Sequence, residues 1–369
     1  MKQHLMRLAS GVLLVSMALA ACTPATEVPP TATTAPTAAP QPTEPPAAGK
    51  KICEVTDTGG VDDKSFNQLA YAGVTQVQDT LGWEGSYLES QQQTDYEKNI
   101  NEYVQTGCDL IVTVGFLLGD ATLAAAQAHP DQKIQILDNA YFNEDGSPMD
   151  LPNVWQQLYA VNEAAFLAGY VAASATQTGK VGTFGGINIP PVVDFMDGFA
   201  FGVAHYNEVH GAAVEVLGWD PNDREGGLFT GNFDSTDDGR RMAETLMDEG
   251  ADIILPVAGP VGLGTLAAVQ ERGGAYVIWV DVDGTISAPE YKDIILTSVL
   301  KKLDVTVVDA AKAVDGGTFA GGIHVANLEN GGVDIAPFYD LGSMVPSDVQ
   351  AEIDGLRAEI IAGTLPTKP

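Results

Sequence analysis

Beyond residue 50 the chain alternates between two textures. Short apolar runs rich in Val, Ile and Leu are followed by longer stretches in which apolar side chains return every three or four positions. The short runs at 51–56, 86–89, 110–114, 134–137, 180–184, 213–218, 253–257, 276–280 and 294–299 predict strands. The longer ones predict helices at 65–81, 118–128, 164–175, 192–209, 237–249, 262–272 and 301–314. In the first of these, Ala70, Val74, Val77 and Leu81 share one face. Thr94 and Glu97 have capping-box spacing ahead of another helix, which carries Tyr96, Ile100 and Tyr103.

Strands that alternate with helices, and that read as unbroken apolar runs, predict parallel sheets covered on both faces. The cycle restarts after the long apolar helix at 164–175, so the pattern predicts two similar α/β lobes. Two such lobes outside the cytoplasm suit a solute-binding protein that closes on its ligand by hinge motion.

The first fifty residues are built differently. Lys2 and Arg7 flank a short apolar run at 8–20, too short for a permanent membrane span. Leu19-Ala20-Ala21-Cys22 then reads as a lipobox, which makes 1–21 a lipoprotein signal peptide and Cys22 the lipidated first residue of the mature chain. An ordinary secretory leader that contains a cysteine is the alternative. Acyl chains contribute about 0.8 kcal/mol per buried methylene, so such an anchor is in effect permanent. The expected location is the extracytoplasmic face of the cell membrane. Residues 22–50 add a Pro-, Thr- and Ala-rich tether that favours extended polyproline conformations. At about 3.1 Å per residue it reaches up to ~80 Å.

Composition narrows the ligand. The formal charge is −31, and losing Lys2 and Arg7 with the leader makes it more negative still. Such a chain has no electrostatic footprint for nucleic acid, and polyanions are poor ligands. Besides Cys22 only Cys53 and Cys108 remain. Each sits near the start of a predicted strand, in an oxidising location, so a disulfide is expected; two buried, reduced thiols are the alternative. Five scattered His and no Cys-x-x-Cys give no support for a metal site.

Ligands of open α/β sheets bind at the carboxyl ends of strands. The residues there are Asp57, then Phe66 and Asn67, Asp138, Gly185-Gly186, Gly259, Asp281 or Asp283, and Lys301. The set contains no Arg, which phosphate and carboxylate ligands usually recruit, so it suits a neutral ligand with hydroxyls and a flat face. Asp57, Asp138 and Asp281 read equally well as turn or cap residues, and Phe66 as core. Gly185-Gly186 lacks the dinucleotide fingerprint.

At these residues the chain resembles the basic membrane protein family of ABC-transporter lipoproteins, which includes the purine-nucleoside-binding PnrA type. The matching segments are VTDTGGVDDKSFNQ, DLIVTVGF, ILDNAY, EAAFLAGYVAA, GKVGTFGG with PPVVDFMDGFAFG, GADIILPVAG and LTSVLKKLD, in that order along the chain. The resemblance implies a type I periplasmic-binding-protein fold: two Rossmann-like lobes joined by a three-crossover hinge. Residues 51–158 with 284–318 are expected to form lobe I, and 159–283 with 319–369 lobe II. It implies that Phe66 stacks on a purine base while Asn67 and Asp138 bond its edge, and that Phe233 covers the other face. Asp57, Asp281 and Lys301 would reach the ribose, and Gly259 would approach with its backbone. The stretch 219–230 looks longer than the family pattern, which leaves Phe229 open as the second aromatic. The spacing after Gly259 likewise leaves Asp283 open beside Asp281.

The expected role is therefore that of a monomeric receptor without cofactor or catalytic residues, which takes a purine nucleoside (adenosine, guanosine or inosine) to an ABC permease. A sugar or riboflavin-like ligand is the alternative within that role. An enzyme such as a nucleoside hydrolase or oxidoreductase has little support, since no Ser-His-Asp set is visible and no His follows a predicted strand.

Overall fold

The computed structural model describes residues 49–369; the leader, Cys22 and most of the tether lie outside them. The chain builds β1 (Lys51–Val55), α1 (Phe66–Leu81), β2 (Glu84–Leu88), α2 (Tyr96–Thr106), β3 (Leu110–Val114), α3 (Gly119–Ala128), β4 (Lys133–Leu137) and β5 (Val154–Tyr159). It continues with α4 (Val161–Ala175), β6 (Lys180–Gly185), α5 (Pro190–His210), β7 (Glu215–Leu217), α6 (Thr236–Asp248), β8 (Ile253–Val257), α7 (Gly262–Arg272), β9 (Tyr276–Asp281) and α8 (Gly284–Ser287). The last elements are β10 (Ile295–Lys301), α9 (Leu303–Asp315), β11 (Gly322–Ala326), β12 (Val333–Ile335) and α10 (Ser347–Ile361).

The strands form two sheets, β11-β5-β4-β3-β1-β2 and β12-β10-β9-β8-β6-β7. All pairings are parallel except that of β10 with β12. The chain crosses from one sheet to the other three times, after β5, after β10 and after β11. The fold is thus α/β with two lobes, each a mainly parallel sheet packed with helices.

The crossings redraw the expected lobe boundaries. The sequence pattern places residues 284–318 in the first lobe, but β10 hydrogen-bonds to β9 and belongs to the second sheet. It places residues 319–369 in the second lobe, but β11 pairs with β5 in the first. Only α9, packed on α1, returns to the first lobe within 284–318. A strand keeps whichever edge its backbone hydrogen bonds find, and sequence order does not choose that edge.

Other elements differ locally. β5 was not expected, because Gln156 and Gln157 interrupt its apolar pattern; both are buried, and Gln156 Oε1 accepts the Tyr141 N–H at 2.8 Å. The capping box at Thr94 does not form: a 3-10 turn at Gln93–Asp95 leads into α2, whose N-cap Asp95 makes no side-chain cap bond. Lys301 ends a strand and does not open a helix. Cys53 and Cys108 form a disulfide beside the β1–β3 pairing.

α4 and α5 pack backbone against backbone. A Cβ at Gly169 would lie 2.1 Å from Phe199 O, and one at Gly202 2.0 Å from Phe166 O, so the backbones touch where no side chain intervenes. Among the buried polar groups without a hydrogen-bond partner, Glu54 is the one acid with both oxygens unmatched. Glu54 on β1 is 0% exposed and neither carboxyl oxygen is hydrogen-bonded. Burial first, then Asp63 and Asp57, push its pKa well above the usual carboxylate range.

Candidate functional site

The site grows from the β1–α1 turn. Asp63 stands ahead of α1 and satisfies its free N–H groups: Oδ1 accepts from Ser65 N (2.9 Å) and Gln68 N (3.1 Å), and Oδ2 from Asn67 N (2.8 Å). A carboxylate there also meets the positive end of the helix dipole. The Asn67 amide then clasps two acids, donating to Asp57 Oδ1 (2.8 Å) and Asp63 Oδ2 (3.0 Å) and accepting from Asp57 N (3.2 Å). Gly59 N adds a bond to Asp57 Oδ1 at 2.9 Å. This clasp uses both amide hydrogens of Asn67, the group expected to bond the base edge. In the structure Asn67 lines the cleft but serves to hold Asp57 and Asp63.

Asp138 follows β4 with φ 63°, and its N–H donates to Gln157 O at 2.8 Å. Its carboxylate pairs with Lys301, which comes from the end of β10 in the other sheet. The Lys301 ammonium is 2% exposed and sits 4.7 Å from the Phe66 ring centre, 5.0 Å from Tyr159 and 5.7 Å from Phe195. Three aromatic faces and one carboxylate thus replace its water. Asp281 ends β9 with φ 67°, and its Oδ2 accepts the Ser65 hydroxyl at 2.7 Å, tying the second lobe to the first.

All eight expected residues, Asp57, Phe66, Asn67, Asp138, Phe233, Gly259, Asp281 and Lys301, line one cleft of about 610 Å³, mouth included. Phe233 lies against Gly186, where a Cβ would come within 2.3 Å of its ring. Gly259 has φ 54° and nothing within 4 Å of a Cβ position, so bare backbone faces open space. Phe229 turns away and packs on Trp219. Asp283 caps α8 through Thr285 N (3.0 Å) and takes the Tyr339 hydroxyl. Sequence reading missed Asp63, Phe195 and the apolar wall of Ile189 and Val192. These come from helix starts rather than strand ends; acidic residues just ahead of the first helix were the visible signal for Asp63.

Four carboxylates, Asp57, Asp63, Asp138 and Asp281, therefore share the cleft with one cation. Burial raises the pKa of each. Asp63 is pushed to about 6 against its three backbone N–H bonds, and Asp281 to about 6 against Lys301 and the Ser65 hydroxyl. Asp57 and Asp138 are also raised, opposed by Gly59 and Asn67 and by Lys301 respectively. The arrangement can accept several hydrogen bonds, pack a flat ring on Phe66 and Phe233, and expose little positive charge to an anion.

Residues 50–368 match the model of the family described as Bmp, ABC transporter substrate-binding protein PnrA-like. The ABC transporter nucleoside-binding protein BmpA of Lactococcus lactis subsp. cremoris is 30% identical over 340 residues, covering 86% of this chain and 89% of its own. An uncharacterised lipoprotein of Pyrococcus abyssi is 32% identical over 292 residues, covering 77% and 68%. A solved solute-binding protein of an ABC transporter system from Aeropyrum pernix K1 superposes with a TM-score of 0.76 at 27% identity, covering 85% and 92%. The chain belongs to the Bmp family of ABC-transporter substrate-binding proteins, which bind and hand on a substrate and are not enzymes.

Proposed function

We propose that this protein captures a purine nucleoside between its lobes and delivers it to the permease of an ABC importer. The observation that carries this reading is the pairing of Phe66 and Phe233, one from each lobe, in a cleft otherwise rich in carboxylates. A purine presents two π-faces, and base–aromatic stacking is worth ~1–3 kcal/mol per base. Its edge and the ribose hydroxyls offer donors to Asp57, Asp138 and Asp281, and a ligand that leaves those groups unpaired is penalised. Asp57 Oδ2, which makes no hydrogen bond among the described residues, is a ready acceptor. Lys301 keeps the cleft from excess negative charge. Closure follows when a ligand touching both lobes favours the shut form by its differential affinity. The Lactococcus relative is named as nucleoside-binding, which fits.

The receptor works, on this reading, at the outer face of the membrane, lipidated at Cys22 and held on its Pro-rich tether. The lipobox supports this, as does the lipoprotein name of the Pyrococcus relative. Among the described residues no helix is long and apolar enough to cross a membrane.

Calorimetric titration tests the ligand. The protein is first unfolded and refolded to strip co-purified ligand, then titrated with adenosine, guanosine, inosine, uridine, ribose and riboflavin. Saturable one-to-one binding of purine nucleosides with ribose silent is expected. Heat from ribose or riboflavin alone overturns the nucleoside assignment and leaves the transport role.

A further inference from the structure

The stretch 219–232, which contains the 219–230 segment that looks long beside the family pattern, supplies no residue to the cleft. It runs from β7 to Phe233, and its backbone lies along the end of β6. Gly185 N donates to Leu228 O (2.9 Å), Thr230 N to Gly185 O (3.0 Å) and Gly231 N to Gly186 O (2.8 Å). Gly185 and Phe229 form a parallel bridge. The Phe229 and Phe233 rings then rest on Gly185 and Gly186, where Cβ atoms would come within 2.6 and 2.3 Å of them.

Asn232 Nδ2 donates to Asp238 Oδ2 on α6 (2.9 Å) and Asn188 Nδ2 to Arg224 O (3.4 Å), but one side chain on α5 grips this segment at two side chains at once. Asp197 lies on α5, two residues after Phe195, and is 0% exposed. Its Oδ1 accepts from Trp219 Nε1 at 3.0 Å, and its Oδ2 pairs with the Arg224 guanidinium. Trp219 stands edge-on to Phe229, with centroids 5.9 Å apart and planes at 87°. A buried carboxylate is costly unless its oxygens are matched, and well-packed apolar groups often do as well for stability. Here both matches come from the one segment that ends at Phe233.

We propose that Asp197 is a positioning residue for ligand binding. Through Trp219 and Arg224 it fixes the segment 219–232 and so sets the Phe233 ring at the cleft wall. Because α5 also supplies Val192 and Phe195 to the cleft, the same carboxylate ties two walls of the second lobe together. The inference rests on the reading that Phe233 stacks on a base.

The test is a double-mutant cycle on the purified full chain, titrated with inosine. Its variants are Asp197→Ala, Arg224→Gln, Phe233→Ala and the Asp197→Ala/Phe233→Ala pair, with hydrogen exchange followed over 224–233. Phe233→Ala is expected to weaken binding at least about fivefold, the lower end of a lost stacking contact. Asp197→Ala should weaken it comparably and Arg224→Gln less, both with faster exchange in the segment. In the Phe233→Ala background, Asp197→Ala should change affinity by less than about twofold, because it acts through the missing ring. A loss of the same size in both backgrounds overturns the proposal, since that is general damage to the lobe. Unchanged affinity and exchange in both single variants overturn it too. Should Asp197→Ala not fold, Arg224→Gln carries the same cycle, since the Arg224 side chain is 46% exposed. If the wild type binds no purine nucleoside, the functional reading falls and takes this one with it. If Phe233→Ala weakens binding while Asp197→Ala and Arg224→Gln do not, the positioning role alone falls.

Discussion

Lys301→Met removes the one cation of the cleft and keeps most of its stem. The ammonium is 2% exposed and its partner Asp138 8%, so neither charge falls back on water. Removing one member of a buried pair costs about 3–5 kcal/mol, because the other charge is stranded. The lost cation–aromatic contacts with Phe66, Tyr159 and Phe195 fall within that range. Protonation of Asp138 then limits the cost. Burial already raises its pKa and Lys301 opposes the rise, so the variant carries it higher. A carboxyl whose folded pKa lies above its unfolded value binds its proton more tightly when folded. Stability therefore rises as pH falls from the folded pKa toward the unfolded value of about 3.9, and is lost again as pH rises through that window. The deficit should be about 3–4 kcal/mol at pH 8 and shrink steadily toward pH 5. Urea unfolding followed by circular dichroism at pH 8, 6.5 and 5 measures it. The Asp138→Asn/Lys301→Met pair should recover most of the loss. A deficit below about 1 kcal/mol, or one that is constant with pH, refutes the reasoning.

Three further outcomes follow from the same geometry. Phe66→Ala should weaken nucleoside binding at least about tenfold in calorimetry while shifting the urea midpoint less than Lys301→Met does; unchanged affinity would mean the stacking face is elsewhere. Asp138→Asn should reorder the preference among adenosine, guanosine and inosine more than it alters the need for ribose, and a uniform loss across bases contradicts its place at the base edge. Glu54→Gln exchanges an unpartnered buried carboxyl for a neutral amide. Since burial raises the Glu54 pKa, the wild type loses stability as pH rises from about 4.3 through the folded value; the variant should be the more stable at pH 8, with an advantage that vanishes near pH 4. An advantage independent of pH would show that charge is not the cause.

The cleft was largely legible because strand ends are where α/β sheets bind, and strand ends are easy to find in apolar runs. Asp57, Asp138, Asp281 and Lys301 were visible on that ground, and Phe233 through the family pattern. What stayed hidden has physical reasons. Gln156 and Gln157 are polar side chains buried inside a sheet, so β5 does not look apolar. Asn67 reads as a free hydrogen-bonding group until its two carboxylate partners are seen around it. The exchange of β10 and β11 between lobes depends on edge pairing, which a one-dimensional pattern does not encode. Asp197 looked like any polar residue of a long helix; only the neighbourhood of Trp219 and Arg224 shows that it is buried.

The pairing of β11 with β5 has a consequence for how the chain comes to be folded. Gln157 bonds His324 O across 167 positions, and Gln76 meets Asp304 across 228. No N-terminal portion of the chain therefore contains a finished first lobe. As the polypeptide emerges, the edge of β5 and the apolar face of α1 wait uncovered while the second lobe is being made. Contacts this distant in sequence close slowly, and an open strand edge invites wrong partners in the meantime. For a protein exported as proposed above the delay is useful, since a chain that cannot finish folding early stays fit to thread through a membrane pore. A truncation beyond Lys302 should accordingly do its first damage to the lobe that was synthesised first.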